Sequence, residues 1–225
     1  MSNLIEEISL RNKLYIFKDR KEAGSLLTEK LIKFKGTDSI IFGIPSGGVP
    51  IASEISEALN LPMDLIIVRK IQIPYNPEAG FGAMGPDGEV IFNERLLNQL
   101  GLTKDEINNQ VKKTQDIIKQ RNRLFRQARP YPPMKDKYVI VVDDGLASGY
   151  TMLTAVKFIK RKGTKRVIVA VPTGSEKTAK FLLKEADEIV CLNLRAGVPF
   201  AVADAYKIWY DLSDEEVLDI LRKRC

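Results

Sequence analysis

Residues 139–151 of this 225-residue chain read Val139-Ile140-Val141-Val142-Asp143-Asp144-Gly145-Leu146-Ala147-Ser148-Gly149-Tyr150-Thr151. The β-branched run at the start suits a strand covered on both faces of a parallel sheet, and two acids close it. From Thr151 onward Met152, Ala155, Val156, Phe158 and Ile159 recur at helical spacing, so the residues between are a turn from strand into helix. Such a turn gathers unpaired backbone N–H groups at the positive end of a helix dipole, which attracts phosphate. Gly145 and Gly149 permit close approach, while Ser148 and Thr151 add hydroxyl donors. Asp143 and Asp144 would repel phosphate directly. They precede the turn, however, by about one sugar width, where they can accept hydrogen bonds from vicinal hydroxyls and hold Mg²⁺ nearby. That division of labour favours a ribose 5-phosphate.

A second strand, Ser39-Ile40-Ile41-Phe42-Gly43, leads into Ile44-Pro45-Ser46-Gly47-Gly48-Val49-Pro50. Adjacent glycines expose successive N–H groups as an anion-binding nest, Ser46 offers a hydroxyl, and Pro50 suits the first turn of a helix carrying Ile51, Ile55, Ala58 and Leu59 on its buried face. A third strand, Asp64-Leu65-Ile66-Ile67-Val68, ends in Arg69 and Lys70. These two are either fixed positive charge for a polyanion or a pair of solvated cations.

Outward from these strands the chain keeps alternating, with a helix near residues 21–34 and further strands near 166–171 and 188–192. The pattern predicts an α/β fold with a mainly parallel central sheet flanked by helices, in a single domain over residues 1–225. Ser175 reads as the N-cap of one late helix, and Ser213-Asp214-Glu215-Glu216 as the capping box of the last. The alternation breaks at about residues 71–133, too long for an ordinary connection. Residues 74–88 are dense in Gly and Pro and read as a mobile or irregular loop leading to a hairpin around Asp87-Gly88. Residues 104–129 are helical in pattern and basic, with Lys104, Lys112, Lys113, Lys119, Arg121, Arg123, Arg126 and Arg129 against Asp105, Glu106 and Asp116. Nearly all of the chain's net charge of +6 falls within this segment. A solvated face, attraction for an anionic substrate, and a nucleic-acid contact are all compatible with it, though aromatic residues are not interleaved as a stacking platform requires.

Composition narrows the chemistry. The chain has no histidine, which excludes His-based triads and His metal ligands, so any metal should be a hard, oxygen-bound ion. Cys191 and Cys225 suggest neither a disulfide framework nor a zinc site. No run of 18 apolar residues or secretion signal is present, and the expectation is a cytoplasmic protein without membrane contact.

The order of apolar strand, two acids and a Gly/Ala/Ser/Thr loop resembles the phosphoribosyl diphosphate motif of type I phosphoribosyltransferases. The resemblance implies that Asp143 and Asp144 contact the ribose 2- and 3-hydroxyls and that Gly145, Leu146, Ala147, Ser148, Gly149, Tyr150 and Thr151 hold the 5-phosphate. It implies that Pro45, Ser46, Gly47 and Gly48, with a cis peptide near the glycine pair, bind diphosphate together with Arg69 and Lys70. The catalytic residues it implies are Asp143, Asp144 and Lys70, with Mg²⁺ held by the two acids directly or through ribose hydroxyls or water. The loop within 71–133 would close over the diphosphate, and a hood near 193–212 would cover the acceptor, with Phe200, Tyr206, Trp209 and Tyr210 as stacking candidates and Asp204 as an edge reader or a turn cap. The function so implied is transfer of 5-phosphoribosyl to a nitrogenous base or similar acceptor in nucleotide or nucleoside metabolism, by an enzyme expected to be a homo-oligomer. In 6-oxopurine enzymes of the family an acid takes the loop position that Ala147 holds here, and the loop looks closer to the adenine type. The competing reading is a noncatalytic sensor of the same donor whose basic segment engages nucleic acid. A phosphate-ester or nucleotide-sugar hydrolase would need a water-activating group that the sequence does not offer.

Overall fold

The computed structural model of the chain describes residues 3–197 and 200–223; Val198 and Pro199 of the expected hood, and Cys225, lie outside these. The first half begins with β1 (Leu4–Ile5), α1 (Arg20–Leu31), β2 (Ser39–Gly43), α2 (Gly48–Leu59) and β3 (Met63–Leu65). An antiparallel unit of β4 (Arg69–Ile73), β5 (Asn76–Met84) and β6 (Val90–Phe92) comes next, then α3 (Glu94–Leu100) and α4 (Lys104–Arg126). The second half is β7 (Tyr138–Val142), α5 (Tyr150–Lys160), β8 (Arg166–Ser175), α6 (Glu176–Leu182), β9 (Glu188–Arg195) and α7 (Asp214–Arg222).

Six strands form one parallel sheet in the order β1-β9-β8-β7-β2-β3. Their continuous Val and Ile runs are explained by burial on both faces. Val139 and Val141 join α5 and α6 residues in one core, while Ile140 and Val142 join α1 and α2 residues in another. From β2 the chain turns outward to β3 through α2, and from β7 it turns the opposite way to β8 through α5 on the other face. The strand order therefore reverses between β2 and β7, and the crevice of an open α/β sheet falls at such a reversal, at the carboxyl ends of the strands. Gly43 and Val142 are register partners, so the loops that follow them start at the same height.

Several elements depart from their sequence expectation. The third strand stops at Leu65 rather than Val68, because Val68 N turns back to the Ile66 carbonyl (3.2 Å) and Ile67 N donates to the Tyr131 hydroxyl (3.3 Å). Arg69 and Lys70 consequently open the antiparallel sheet instead of ending a parallel strand. The Gly/Pro-dense residues 76–84 form a strand, not an irregular loop. Its glycines serve close packing: a Cβ on Gly82 would lie 2.7 Å from the Ile91 carbonyl, and one on Gly80 3.0 Å from that of Ile71. The expected turn near Asp87-Gly88 is present, with Gly88 N donating to Gly85 O at 3.1 Å and a positive φ at Gly88. The first long helix ends at Leu31 and tightens into a 3₁₀ turn over Ile32–Phe34. Ser175 precedes α6 without a side-chain capping bond, whereas Ser213 and Glu216 complete the capping box of α7.

Candidate active site

Both phosphate-sized loops open on the crevice between β2 and β7. The first is tied to the neighbouring strand by Ile44 N donating to Val142 O at 2.9 Å, and it contains a cis peptide between Pro45 and Ser46. A Cβ on Gly47 would overlap the Asp144 carboxylate, and one on Gly48 would overlap the Val142 carbonyl and lie 2.9 Å from Asp143 Cα. The glycine pair is thus required by the closeness of the acidic strand end, and the two halves of the site are in direct contact.

The second loop is fixed on several sides. Leu146 bridges to the end of β8, with its N–H on Thr173 O (3.0 Å) and its carbonyl accepting from Ser175 N (3.1 Å). The Thr178 hydroxyl donates to Ala147 O at 2.6 Å. Gly149 adopts φ +83° at the start of α5, where a Cβ would strike the Thr178 methyl. A cavity of ≈ 390 Å³ opens between this loop and β5, lined by Asp143, Gly145, Leu146, Ala147, Ser148, Gly149, Tyr150 and Thr151 together with Lys70, Glu78, Ala79 and Gly80. Every residue expected at the ribose phosphate except Asp144 lines it, and Lys70 joins them from across the sheet.

The acid pair is electrostatically loaded. Burial pushes the Asp143 carboxyl well above the usual carboxylate range, the charge of Asp144 adds to this, and the hydrogen bond from Asp144 N (2.9 Å) opposes it. Burial raises Asp144 as well, against the pull of Arg20. Arg20, at the start of α1, is nearly buried and carries no signal in the sequence. It places Nε and Nη2 on Asp144 Oδ2 at 3.0 and 2.9 Å, donates through Nη1 to Tyr210 O at 2.9 Å, and lies 4.0 Å from the centroid of the Trp209 ring. The Tyr206 hydroxyl donates to Asp144 O at 2.7 Å, and burial keeps that phenol protonated.

Three of the four hood aromatics make contacts within the protein. Tyr206 is core, Trp209 stacks on Arg20 and Tyr206, and Tyr210 donates its hydroxyl to Glu216 at 3.0 Å. Phe200 alone among them lines a cavity that touches the phosphate loop. Asp204 accepts through its backbone carbonyl from Tyr15 N at 2.7 Å, as part of a 3₁₀ turn.

The basic helix also differs from a uniformly solvated face. Arg126 is 1% exposed and makes a two-nitrogen bond to Asp64 at 2.9 and 2.7 Å, with the Tyr131 ring beneath it at 3.7 Å. Arg121 reaches the first loop, with Nη1 3.4 Å from Pro45 O and Nη2 3.3 Å from Ser46 Oγ and from Asp214. Arg69 lies near it. Burial first, then the Arg121 charge, lower the Arg69 guanidinium, and Asp214 pulls the other way. Lys70 and Arg69 therefore separate, the former to the phosphate cavity and the latter beside Arg121.

Two glycine-bearing loops thus meet at the reversal point of a parallel sheet, with an acid pair at their contact. The chain belongs to the phosphoribosyl transferase domain family, whose model matches residues 85–207, more than half of its length. It is 34% identical over 206 residues, 92% of its length, to "Putative phosphoribosyl transferase MT0597" from Mycobacterium tuberculosis strain CDC 1551 / Oshkosh and to Rv0571c, which carries the same description, from strain H37Rv. The chain spans about half the length of these curated relatives (46%). Among solved structures it is similar to TT1426 from Thermus thermophilus, at 33% identity and a TM-score of 0.73, covering 92% of this chain and 98% of that one. The family match begins at residue 85 and so includes the acid-pair loop but not the Gly47-Gly48 loop, which rests here on geometry.

Proposed function

We propose that this chain transfers the 5-phosphoribosyl group from phosphoribosyl diphosphate to a nitrogen acceptor. The lone pair of the acceptor nitrogen forms the new bond to ribose C1 while the C1–O bond breaks and diphosphate leaves with its electrons. A nitrogen that carried a proton releases it to water. The observation that carries this reading is the contact between the two loops, in which the Asp144 carboxylate lies against Gly47. In this reading Asp143 and Asp144 orient the ribose hydroxyls, the backbone N–H groups of residues 147–151 hold the 5-phosphate, and Ser46, Gly47 and Lys70 bind the diphosphate; of these, Asp143, residues 147–151 and Lys70 line the cavity beside the second loop. Positive charge that develops on the ribose ring as diphosphate departs is stabilised by the nearby acid pair, so orientation and electrostatics carry the rate.

Among the described residues no group of three or more His, Cys, Asp and Glu is arranged to hold a metal, and Asp144 is already engaged by Arg20. That donor set fits Mg²⁺ as an ion brought by the diphosphate and shared with Asp143, rather than one held in a protein cage. When bound, it would neutralise the leaving group. Among the described residues no helix is long and apolar enough to cross a membrane. A cytoplasmic, nucleotide-metabolising homo-oligomer is the corresponding proposal for its setting.

The test incubates the protein with phosphoribosyl diphosphate, Mg²⁺ and a panel of nitrogenous rings, and follows diphosphate release. Donor-dependent product supports the reading. Absence of donor binding by calorimetry sinks it, and binding without product from any ring would favour the sensor.

A further inference from the structure

Arg20 sits at the start of α1, yet the groups its guanidinium holds all lie on other elements. Nε and Nη2 converge on Asp144 Oδ2, Nη1 donates to the Tyr210 carbonyl, and the guanidinium carbon lies 4.0 Å from the Trp209 ring centroid. We propose that Arg20 is a positioning residue for the sugar acid: it fixes the orientation in which Asp144 meets the ribose, and it makes that orientation depend on residues 206–210. This deepens the phosphoribosyl-transfer reading and rests on it.

The hold is directional. Both guanidinium contacts fall on Oδ2, so Oδ1 is the oxygen that Arg20 leaves to other partners. The same Oδ2 abuts Gly47, where an added methyl group would overlap it, so guanidinium and loop backbone confine one carboxylate oxygen between them. On so short a side chain, whatever fixes Oδ2 also aims Oδ1. Asp143 lines the cavity of the phosphate loop directly and Asp144 does not, which leaves the aim of Asp144 to its neighbours. Neutralising a carboxylate needs one cation near it and no more. Arg20 is 8% exposed and has all three guanidinium nitrogens engaged, a fixed fork rather than a mobile charge. A locked supporting side chain of this kind is what holds a binding group to its working geometry.

Residues 206–210 grip the acid by a second route. The Tyr206 hydroxyl donates to the Asp144 carbonyl at 2.7 Å, and the Tyr206 and Trp209 rings lie 5.1 Å apart. The segment is tied in turn to the residues just before α1, with Lys207 N on Phe17 O and Ile208 N on Lys18 O, both at 2.8 Å. Asp144 is thus held through its main chain by Tyr206 and through its carboxylate by Arg20, and Arg20 is itself held by Trp209 and Tyr210. A change in this segment reaches the sugar acid without touching the sugar.

Sugars that differ by one hydroxyl separate positioning from structural support. Ribose 5-phosphate, its 2-deoxy and 3-deoxy counterparts and inorganic phosphate are titrated by calorimetry into wild type, Arg20→Lys, Asp144→Asn and the double variant. Wild type should favour ribose 5-phosphate over at least one deoxy sugar by about tenfold, the worth of a hydrogen bond to a charged group. Arg20→Lys keeps the charge and loses the fork, and should reduce that preference to about twofold or less while binding of the deoxy sugar and of phosphate stays as in wild type. Because Arg20 acts through Asp144, the double variant should discriminate no worse than Asp144→Asn alone. If Arg20→Lys does not fold, Trp209→Leu carries the test, since it leaves both charges in place and should lower the preference about threefold. An unchanged preference in the folded variant overturns the inference, as do equal weakening of sugars and phosphate and additive losses in the double variant. Wild-type binding of ribose 5-phosphate with no preference over either deoxy sugar overturns this inference and leaves phosphoribosyl transfer standing. A wild type that binds neither ribose 5-phosphate nor phosphoribosyl diphosphate removes the transfer reading, and this inference with it.

Discussion

The two glycine-bearing loops and the cavity beside them that Phe200 lines are made of different materials. The loops, the proposed sugar end, are backbone and small residues in close contact: Gly47 and Gly48 against Asp144 and Asp143, Gly149 against Thr178, and Leu146 bonded to Thr173. The cavity wall is long side chains, Arg95 from α3, Lys177 and Phe181 from α6, and Phe200 from the segment after β9. Phosphate recognition through N–H groups depends on backbone position and tolerates almost no added atom. Recognition through long side chains depends on identity and absorbs small shifts. Substitutions in the loops should therefore act on binding and fold together, and those in the cavity wall should leave the fold unchanged.

The largest expected effect comes from the smallest change. Gly47 has φ −63°, so alanine is acceptable to its backbone, and the only obstacle is the Asp144 carboxylate where the methyl group would go. Gly47→Ala should lower kcat/KM by at least a hundredfold and destabilise the fold by about 1–3 kcal/mol, as overpacking does. Steady-state rates with denaturant melts check both. An active, stable Gly47→Ala protein would mean that the loops are free to part, and the contrast between the two regions would fail.

Arg20 sharpens the comparison from beneath. It is the counter-charge that opposes the rise burial imposes on the Asp144 carboxyl, and it ties Asp144 to the Tyr210 carbonyl. Arg20→Ala would leave a poorly solvated carboxylate unpaired, at a cost of about 3 kcal/mol, the lower end for breaking a buried pair. Arg20→Lys should recover little, since one ammonium cannot hold Asp144, the Tyr210 carbonyl and the Trp209 ring face together. Chemical denaturation of the two variants measures this, and a lysine variant as stable as wild type would show that charge alone suffices.

The same contrast explains what the sequence could reveal. Strands β2 and β7 were legible because a strand buried on both faces must be a continuous apolar run, and the loops after them because backbone phosphate sites need glycine at fixed places. Strand β5 was not, because Gly80 and Gly82 carry the same letters whether they loosen a loop or let strands approach. Arg20 was hidden by distance, since its partner lies 124 positions away. Arg121 did carry a signal. Thr114, Ile118 and Phe125 form the buried stripe of α4, and Arg121 falls on the same stripe, three residues after one and four before the other. A cation at an apolar position of a helix points inward to a partner. In this chain the partners are Pro45, Ser46 and Asp214.

Arg121 is the intermediate case, a long side chain serving the sugar end. Its bonds to the loop are long, 3.3–3.4 Å, and Arg69 stands ready nearby. Arg121→Ala should raise KM for phosphoribosyl diphosphate about tenfold, the worth of one charge-assisted bond, with the fold intact. Neutralising Lys112, Lys113 and Lys119, which are exposed on the same helix, should change it less than about twofold. Equal effects from both sets would make general attraction, not position, the role of the basic helix.

The smallest effect is also opposite in sign. Because the folded state raises the Asp143 pKa above its ordinary value of 3.8, the native protein binds that proton more tightly than the unfolded chain does. Stability therefore falls as pH rises from the ordinary carboxylate range through the raised folded value, and the loss persists above it. Asp143→Asn removes the ionisation while its side-chain oxygen can still accept from Asp144 N. It also relieves the like charge on Asp144. The variant should melt higher than wild type at about pH 7.5 and equal to it near pH 4, while losing most of its turnover. For a chain of this size 1 kcal/mol moves Tm by roughly 2–4 °C, so paired calorimetric scans at the two pH values resolve the difference. A variant less stable than wild type at neutral pH would mean that Asp143 is held for the fold, whereas a more stable and inactive one marks a residue whose strain is kept for the ligand.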